Sequence, residues 1–260
     1  MKPAEYLHHL VRSMSQNEKS YFKRYASIYS QGKKQNYLKL FDVLNKQQSY
    51  DEEAIRKVPG LGDHLPQTKN YLFQMALNSL CSYQAGQGLA NKLQRQIEHA
   101  LVLKERGLHL HAKKILEKAR KEALEQEHFT TAISIIHTEL EVFSKMEDEM
   151  PISVRMELLR QEQESLDKQS NVCAYKLLMW QVMEIHTKRG TGLSEADRQA
   201  LGTLLDSPLL KDKSHAKSVT ALDVYYYTLT TALYSLGKEI EIAAAYREHL
   251  ALAEQHTWVV

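Results

Sequence analysis

Between Asn91 and Glu127 the chain reads NKLQRQIEHALVLKERGLHLHAKKILEKARKEALEQE, and no other stretch limits the fold as much. Leu89, Leu93, Ile97 and Leu101 recur every four residues, which places them on one stripe of a helix. Gly107 follows where a helix ends on a left-handed residue, a conformation glycine adopts without the clash a Cβ would bring. Ile115, Leu116, Ala119 and Ala123 then form a second helical stripe. The two stripes predict a pair of helices folded back at Gly107. On the second helix, Lys113, Glu117, Lys121 and Glu125 stand at successive i+4 steps, the pattern of a solvated face, where each pair adds only about 0.2–0.5 kcal/mol.

The rest of the chain extends the helical reading. Of its 260 residues, 43% are hydrophobic and 25% charged, with only five Pro and ten Gly, a composition rich in helix formers and poor in the punctuation a β fold needs. The expected class is all-α, as two domains: a small helical domain over 1–87 and a helical repeat domain over 88–260. Gln84-Ala-Gly-Gln-Gly88 marks the boundary, with two glycines between long helical patterns.

Before that boundary, residues 3–13 read as a short helix. Ser15-Gln-Asn-Glu18 is a capping box, the Ser15 hydroxyl and the Glu18 carboxylate each available to a free backbone N–H of the next helix. In that helix Phe22, Tyr25, Ala26 and Tyr29 share the core side. The Gln31-Gly-Lys-Lys34 turn leads to a stripe of Tyr37, Leu38, Phe41 and Leu44. Asp51 is placed to cap a short helix through Lys57, and a further helix enters at Pro66, with Tyr71, Leu72, Met75, Ala76 and Leu80 as its stripe. This order of helices resembles the helical part of a winged-helix DNA-binding domain. The linker holding Pro59, Gly60, Gly62 and Pro66 is long for that family, and no Thr/Val-rich wing follows, so a generic helical cap competes with it.

The hairpin at Gly107 resembles one tetratricopeptide repeat, a 34-residue helix–turn–helix unit with small residues at fixed places. Ala100, Leu103, Gly107, Ala112, Leu116 and Ala119 stand at the matching relative positions, whereas Gln96 and Leu124 occupy the places of the family's Trp and Pro. A partial echo runs from Thr230 to His256, with Gly237 at its turn and Ala243 to Ala245 after it. Between the two, helices are expected at 129–147, 151–168, 171–188 and 194–206, with Pro151 opening one and Ser194 with Asp197 capping another. The helix containing Val172, Tyr175, Leu177, Leu178, Met179, Trp180, Val182, Met183 and Ile185 has almost no polar side and is expected to be covered all round. The resemblance implies antiparallel hairpins stacked as an α-α superhelix, and a non-enzymatic scaffold that grips a protein or peptide in the groove lined by the first helix of each pair. In this chain the implied groove positions are Gln94, Ile97, Leu101 and Lys104.

Charge supplies a second reading. Net charge is +2, yet residues 1–50 hold nine Lys or Arg against Glu5, Glu18 and Asp42, which leaves +6 there and −4 over the remainder. A nucleic-acid-binding regulator would touch phosphate through Lys19, Lys23, Arg24, Lys33 and Lys34, with the repeats sensing a signal or dimerising.

No stretch carries catalytic chemistry. There is no Gly-rich phosphate loop, no G-x-S-x-G elbow and no H-E-x-x-H. His109 and His111 diverge around a helix, and Glu125-x-x-His128 lacks the second copy that a di-iron bundle requires. No enzyme, cofactor or metal is therefore expected. Cys81 and Cys173 lie far apart inside apolar patterns, expected as buried thiols of a reducing compartment. The N-terminus MKPAEYLHHL lacks the apolar core of a signal peptide, and no apolar run nears the ~20 residues that cross a bilayer, so the expected location is cytoplasmic with no membrane contact. Of Tyr225, Tyr226, Tyr227 and Tyr234, at least one should be exposed because consecutive side chains diverge around the axis. The apolar end Thr257-Trp-Val-Val260 is expected to pack on a further segment, a symmetry mate or a partner, the second of which would make a homo-oligomer through the C-terminal end.

Overall fold

The computed structural model describes residues 3–29, 36–62, 64–84, 88–144, 151–188, 192–256 and Trp258. Helices account for almost all of them, and no strand occurs among the described residues. The elements are α1 (Pro3–Ser13), α2 (Gln16–Tyr29), α3 (Asn36–Lys46), α4 (Glu52–Arg56), α5 (Leu65–Gln84), α6 (Leu89–Glu105), α7 (His109–Glu125), α8 (Phe129–Phe143), α9 (Ile152–His186), α10 (Glu195–Leu205), α11 (Pro208–Lys211), α12 (Val219–Leu236) and α13 (Glu239–Gln255). The chain divides into two compact units, Met1–Lys92 and Leu93–Val260.

In the first unit α2 and α3 pack on α5, and α1 lies against α3 and α5. Phe22, Ala26, Tyr37, Phe41, Leu44, Leu61, Leu65, Leu72 and Ala76 form its core. Phe22 and Phe41 stack with centroids 4.4 Å apart, and the buried Tyr37 hydroxyl donates to the Ala26 carbonyl at 3.0 Å. The expected caps form: the Ser15 N–H donates to Glu18 at 2.7 Å, the Glu18 N–H to the Ser15 hydroxyl at 3.3 Å, and the Ala54 N–H to Asp51 at 3.0 Å. Tyr71 departs from the expected core stripe. It is half-exposed, its ring meeting Tyr37 edge-on. The expected turn at Gln31–Lys34 lies outside the described residues.

In the second unit α7 packs on α8, α8 on α9, α9 on α12, and α12 on α13, with α10 against both α9 and α12. Ala112, Ala119 and Ala123 of α7 are fully buried, as the small-residue pattern requires for close helix packing. The turns after α6, α7 and α12 share one hydrogen-bond pattern, in which the residue after the left-handed one donates five residues back: Leu108 to Leu103, His128 to Ala123, and Lys238 to Leu233. The left-handed residue is Gly107 in the first and Gly237 in the third, but Glu127, at φ 54°, in the second.

Three expectations are corrected here. The helices read at 151–168 and 171–188 are one 35-residue helix, α9, because Lys168-Gln-Ser-Asn171 holds neither Gly nor Pro to stop it. The apolar half of that helix is not covered all round: Leu177 is 64% and Trp180 65% exposed, since neighbours pack only on the side of Val172, Tyr175 and Val182. Cys81 and Cys173 are exposed rather than buried, because each sits on the solvent side of its helix.

Candidate functional site

Glu139 lies inside the apolar stripe of α8, flanked one turn away by Ile135, Ile136, Val142 and Phe143, and its side chain is fully buried. A buried carboxylate needs a partner, and Arg120 of α7 supplies one, its Nε donating to Oε2 at 2.8 Å. The same guanidinium donates from a second nitrogen to Gln161 of α9 at 2.5 Å, so one side chain ties three helices. Glu139 Oε1 has no hydrogen-bond partner. Burial outweighs the attraction of Arg120 and raises the Glu139 carboxyl to about 7.

Above this tie an open cleft of about 430 Å³ runs between α7 and α9. Arg120, Lys121 and Glu125 line it from α7 and Glu157, Glu164 and Lys168 from α9, so each wall carries both signs of charge, with Leu124 as its single apolar wall residue among those described. Glu139 does not line the cleft, so its perturbed carboxyl is sealed from anything bound there. The cleft offers mixed charge on solvated side chains and no nucleophile paired with a base.

The other side of α9 is chemically opposite. Ile152, Met156, Leu159, Gln163, Leu166, Ser170, Cys173, Leu177, Trp180 and Glu184 follow one another at alternating steps of four and three residues, and every one is exposed. That spacing is a heptad row along one side of the helix, with its every second member apolar: Ile152, Leu159, Leu166, Cys173 and Trp180. Tyr227 of α12 adjoins the C-terminal half, its hydroxyl 3.8 Å from Met183 Sδ. Tyr227 and Tyr234 are half-exposed while Tyr225 and Tyr226 are buried, the divergence expected of that cluster.

The sequence-derived groove residues lie on α6. Gln94 is exposed, Ile97 is buried, Leu101 is half-buried, and Lys104 donates to Glu141 of α8 at 2.8 Å. Of the basic residues considered for nucleic acid, Lys23 pairs with Asp42 at 2.8 Å, Arg24 lies over the Tyr21 ring at 5.9 Å, and Lys19 is half-buried. Lys33 and Lys34 lie outside the described residues. Trp258 is half-buried, its ring meeting His256 edge-on at 5.9 Å. No cluster of metal-ligating residues occurs among the described residues, and no helix there is long and apolar enough to cross a membrane.

Sequence reading missed both the Arg120–Glu139–Gln161 tie and the row on α9. Signals for each were present: a lone Glu at an apolar i+3/i+4 position, and a seven-residue period continuing across the supposed break at 168–171. Comparison of the chain with protein-family models, with curated proteins and with solved structures finds no match.

Proposed function

We propose that the chain is a non-enzymatic protein–protein interaction scaffold built from tetratricopeptide-like helical hairpins. One observation carries this reading: the continuous row of ten exposed heptad positions on α9, six of them Ile, Leu, Met or Trp. A folded protein gains about 25 cal/mol for each Å² of apolar surface it removes from water, so exposed Ile, Leu, Met and Trp along one row support the reading of α9 as a face for another polypeptide. The three hairpin turns with one hydrogen-bond pattern support the repeat part of the reading. A groove on the first helices would then use the exposed Gln94, with Leu101 at its edge and the Lys104–Glu141 pair across it.

The test is photo-crosslinking in cells, with a photoactivatable phenylalanine analogue replacing Leu177 and, as control, Gln199 on the exposed side of α10. The expected result is a polypeptide adduct from position 177 and none from 199. Equal, weak labelling from both positions would remove the interaction reading of α9.

A further inference from the structure

The first unit carries a surface of different chemistry around α2. Phe22 and Ala26 turn that helix inward, and its contacts fix what lies on either side. Toward α3, Lys23 pairs with Asp42 at 2.8 Å, Phe22 stacks on Phe41, and Tyr37 reaches the Ala26 carbonyl, so α2 and α3 run antiparallel. That register sets Lys19, one turn before Lys23, beside Lys46, one turn after Asp42, and it leaves Lys39 one turn to the other side of Asp42. Four lysines thus surround one carboxylate. Glu18, the other acid of these two helices, is occupied by the Ser15 N–H at 2.7 Å. Ser20 and Ser27 keep the surface between the cations low, because their hydroxyls turn back onto the Gln16 and Arg24 carbonyls at 2.8 and 2.7 Å.

Toward α5 the same helix presents rings. The Tyr21 hydroxyl meets Ser82 at 2.9 Å, its ring lies 5.2 Å from that of Tyr83, and Tyr25 stacks beside it at 6.3 Å. All three tyrosines are half-buried. Arg24 is exposed on the crest between the lysine side and the tyrosine side, its guanidinium 5.9 Å from the centre of the Tyr21 ring.

We propose that this face takes single-stranded nucleic acid, the strand crossing α2 with its phosphates on the lysine side and its bases on the tyrosine side. Charge complementarity selects a polyanion: residues 1–92 hold thirteen Lys or Arg against seven Asp or Glu, and Asp42 alone offsets the lysines of the row. The rings select a single strand, whose unpaired bases stack on aromatic side chains beside a basic track. A duplex keeps its bases stacked inside, and an acidic peptide has no use for the tyrosines. An anionic membrane calls for apolar side chains on the crest, which holds Asn17, Ser20 and Arg24 with Ile28 alone.

Fluorescence anisotropy of a labelled deoxythymidine oligomer of about twenty nucleotides, mixed with the purified full chain over a range of salt, tests this. Saturable binding is expected at about 50 mM salt, with log K falling against log salt at a slope of about −3, since Lys19, Arg24, Lys39 and Lys46 each displace about 0.7 of a counterion. Lys39→Gln/Lys46→Gln, both at exposed positions, should flatten that slope by about 1.4. Asp42→Asn breaks a pair whose partners are both about half exposed, so the fold should hold. It frees Lys23 and should tighten binding several-fold, a gain that misfolding cannot imitate. Tyr83→Leu should weaken binding about tenfold with the slope unchanged. No binding at about 50 mM salt, or an Asp42→Asn chain that binds no tighter, would overturn the proposal. A duplex, polyglutamate or phosphatidylserine vesicles bound as tightly as the single strand would overturn it as well. Because α9 belongs to the other unit, each of these results leaves the scaffold reading untouched.

Discussion

Glu127 accepts the backbone N–H of Val219 at 2.8 Å, and its second carboxylate oxygen accepts that of Thr220 at 2.7 Å. These are the first two donors of α12, free by helix geometry, and Ser218 takes the third through Ala221 at 3.0 Å. Glu127 is also the left-handed residue of the turn after α7, where the two sister turns use glycine. A Cβ in that conformation costs about 1 kcal/mol. The cost is offset by a negative charge placed on the positive end of an 18-residue helix that is more than 90 residues away in sequence.

Replacing Glu127 therefore separates the two effects. Glu127→Ala keeps the backbone strain and loses both charge-assisted hydrogen bonds, which should destabilise the second unit by about 2–3 kcal/mol. Glu127→Gly loses the same bonds but relieves the strain, and should be about 1 kcal/mol more stable than the alanine variant. Urea unfolding followed by circular dichroism measures both. If alanine proved the more stable, the left-handed strain would not be real.

The buried pair of Arg120 and Glu139 makes stability depend on pH in an unusual direction. The unfolded carboxyl releases its proton near 4.5, whereas the folded one holds it to about 7. Between those values the folded chain binds more protons, so raising the pH favours unfolding, by about 3 kcal/mol for a shift of this size. Glu139→Gln cannot titrate. The stability of the wild type relative to this variant should be highest below pH 4.5 and fall as pH rises through 7. A difference independent of pH would show that the folded Glu139 carboxyl titrates like the unfolded one, and a difference that grew with pH would show that Arg120 keeps it ionised.

How much was readable in advance follows from the range over which each feature is determined. The caps at Ser15, Asp51 and Ser194 formed as read because a side chain and a backbone N–H three residues on decide them alone. Burial of Ala100, Ala112 and Ala119 was legible for a related reason, since helical period fixes which residues share a face. The continuity of α9 was not: Ser170 and Asn171 are weak helix formers that locally resemble a break, yet with no Gly or Pro there the helix runs on through them while packed against α8 and α12. The Glu127 cap and the Arg120 tie depend on residues 92 and 19 positions apart, and no local pattern encodes such a meeting.

Close approach at Ala112 gives a further expectation. Its Cβ is fully buried at the start of α7, two residues beyond the exposed Leu110. Ala112→Leu adds three carbons where none fits, and should lower stability by about 1–3 kcal/mol, while Leu110→Ala should change it little. Thermal melts of the two variants suffice. An unchanged melting temperature for Ala112→Leu would mean that α7 has room beside it.

In the first unit, Lys69 donates to the Tyr50 hydroxyl at 2.5 Å and to Glu52 at 2.6 Å, while Tyr50 donates to the same Glu52 oxygen at 2.8 Å and Arg56 holds the other at 2.7 Å. Hydrogen bonds from Lys69 first, then from Tyr50 and Arg56, lower the Glu52 carboxyl from 4.5 to about 2. A depressed acid stabilises above its unfolded value, and the contribution is lost as pH falls from 4.5 through 2. Glu52 is more than a third exposed, so solvent screening keeps the energy well below what the shift alone implies. Lys69→Met removes the leading donor and a charge that is itself mostly covered. The Glu52 carboxyl resonance should then titrate at higher pH than in the wild type, though still below 4.5 because Tyr50 and Arg56 remain. At neutral pH the variant should be less stable by about 1 kcal/mol, a gap that closes on acidification. Carboxyl-detected NMR titration reads the first effect and urea unfolding at two pH values the second. An unmoved Glu52 titration would mean that Tyr50 and Arg56 hold the carboxylate without Lys69.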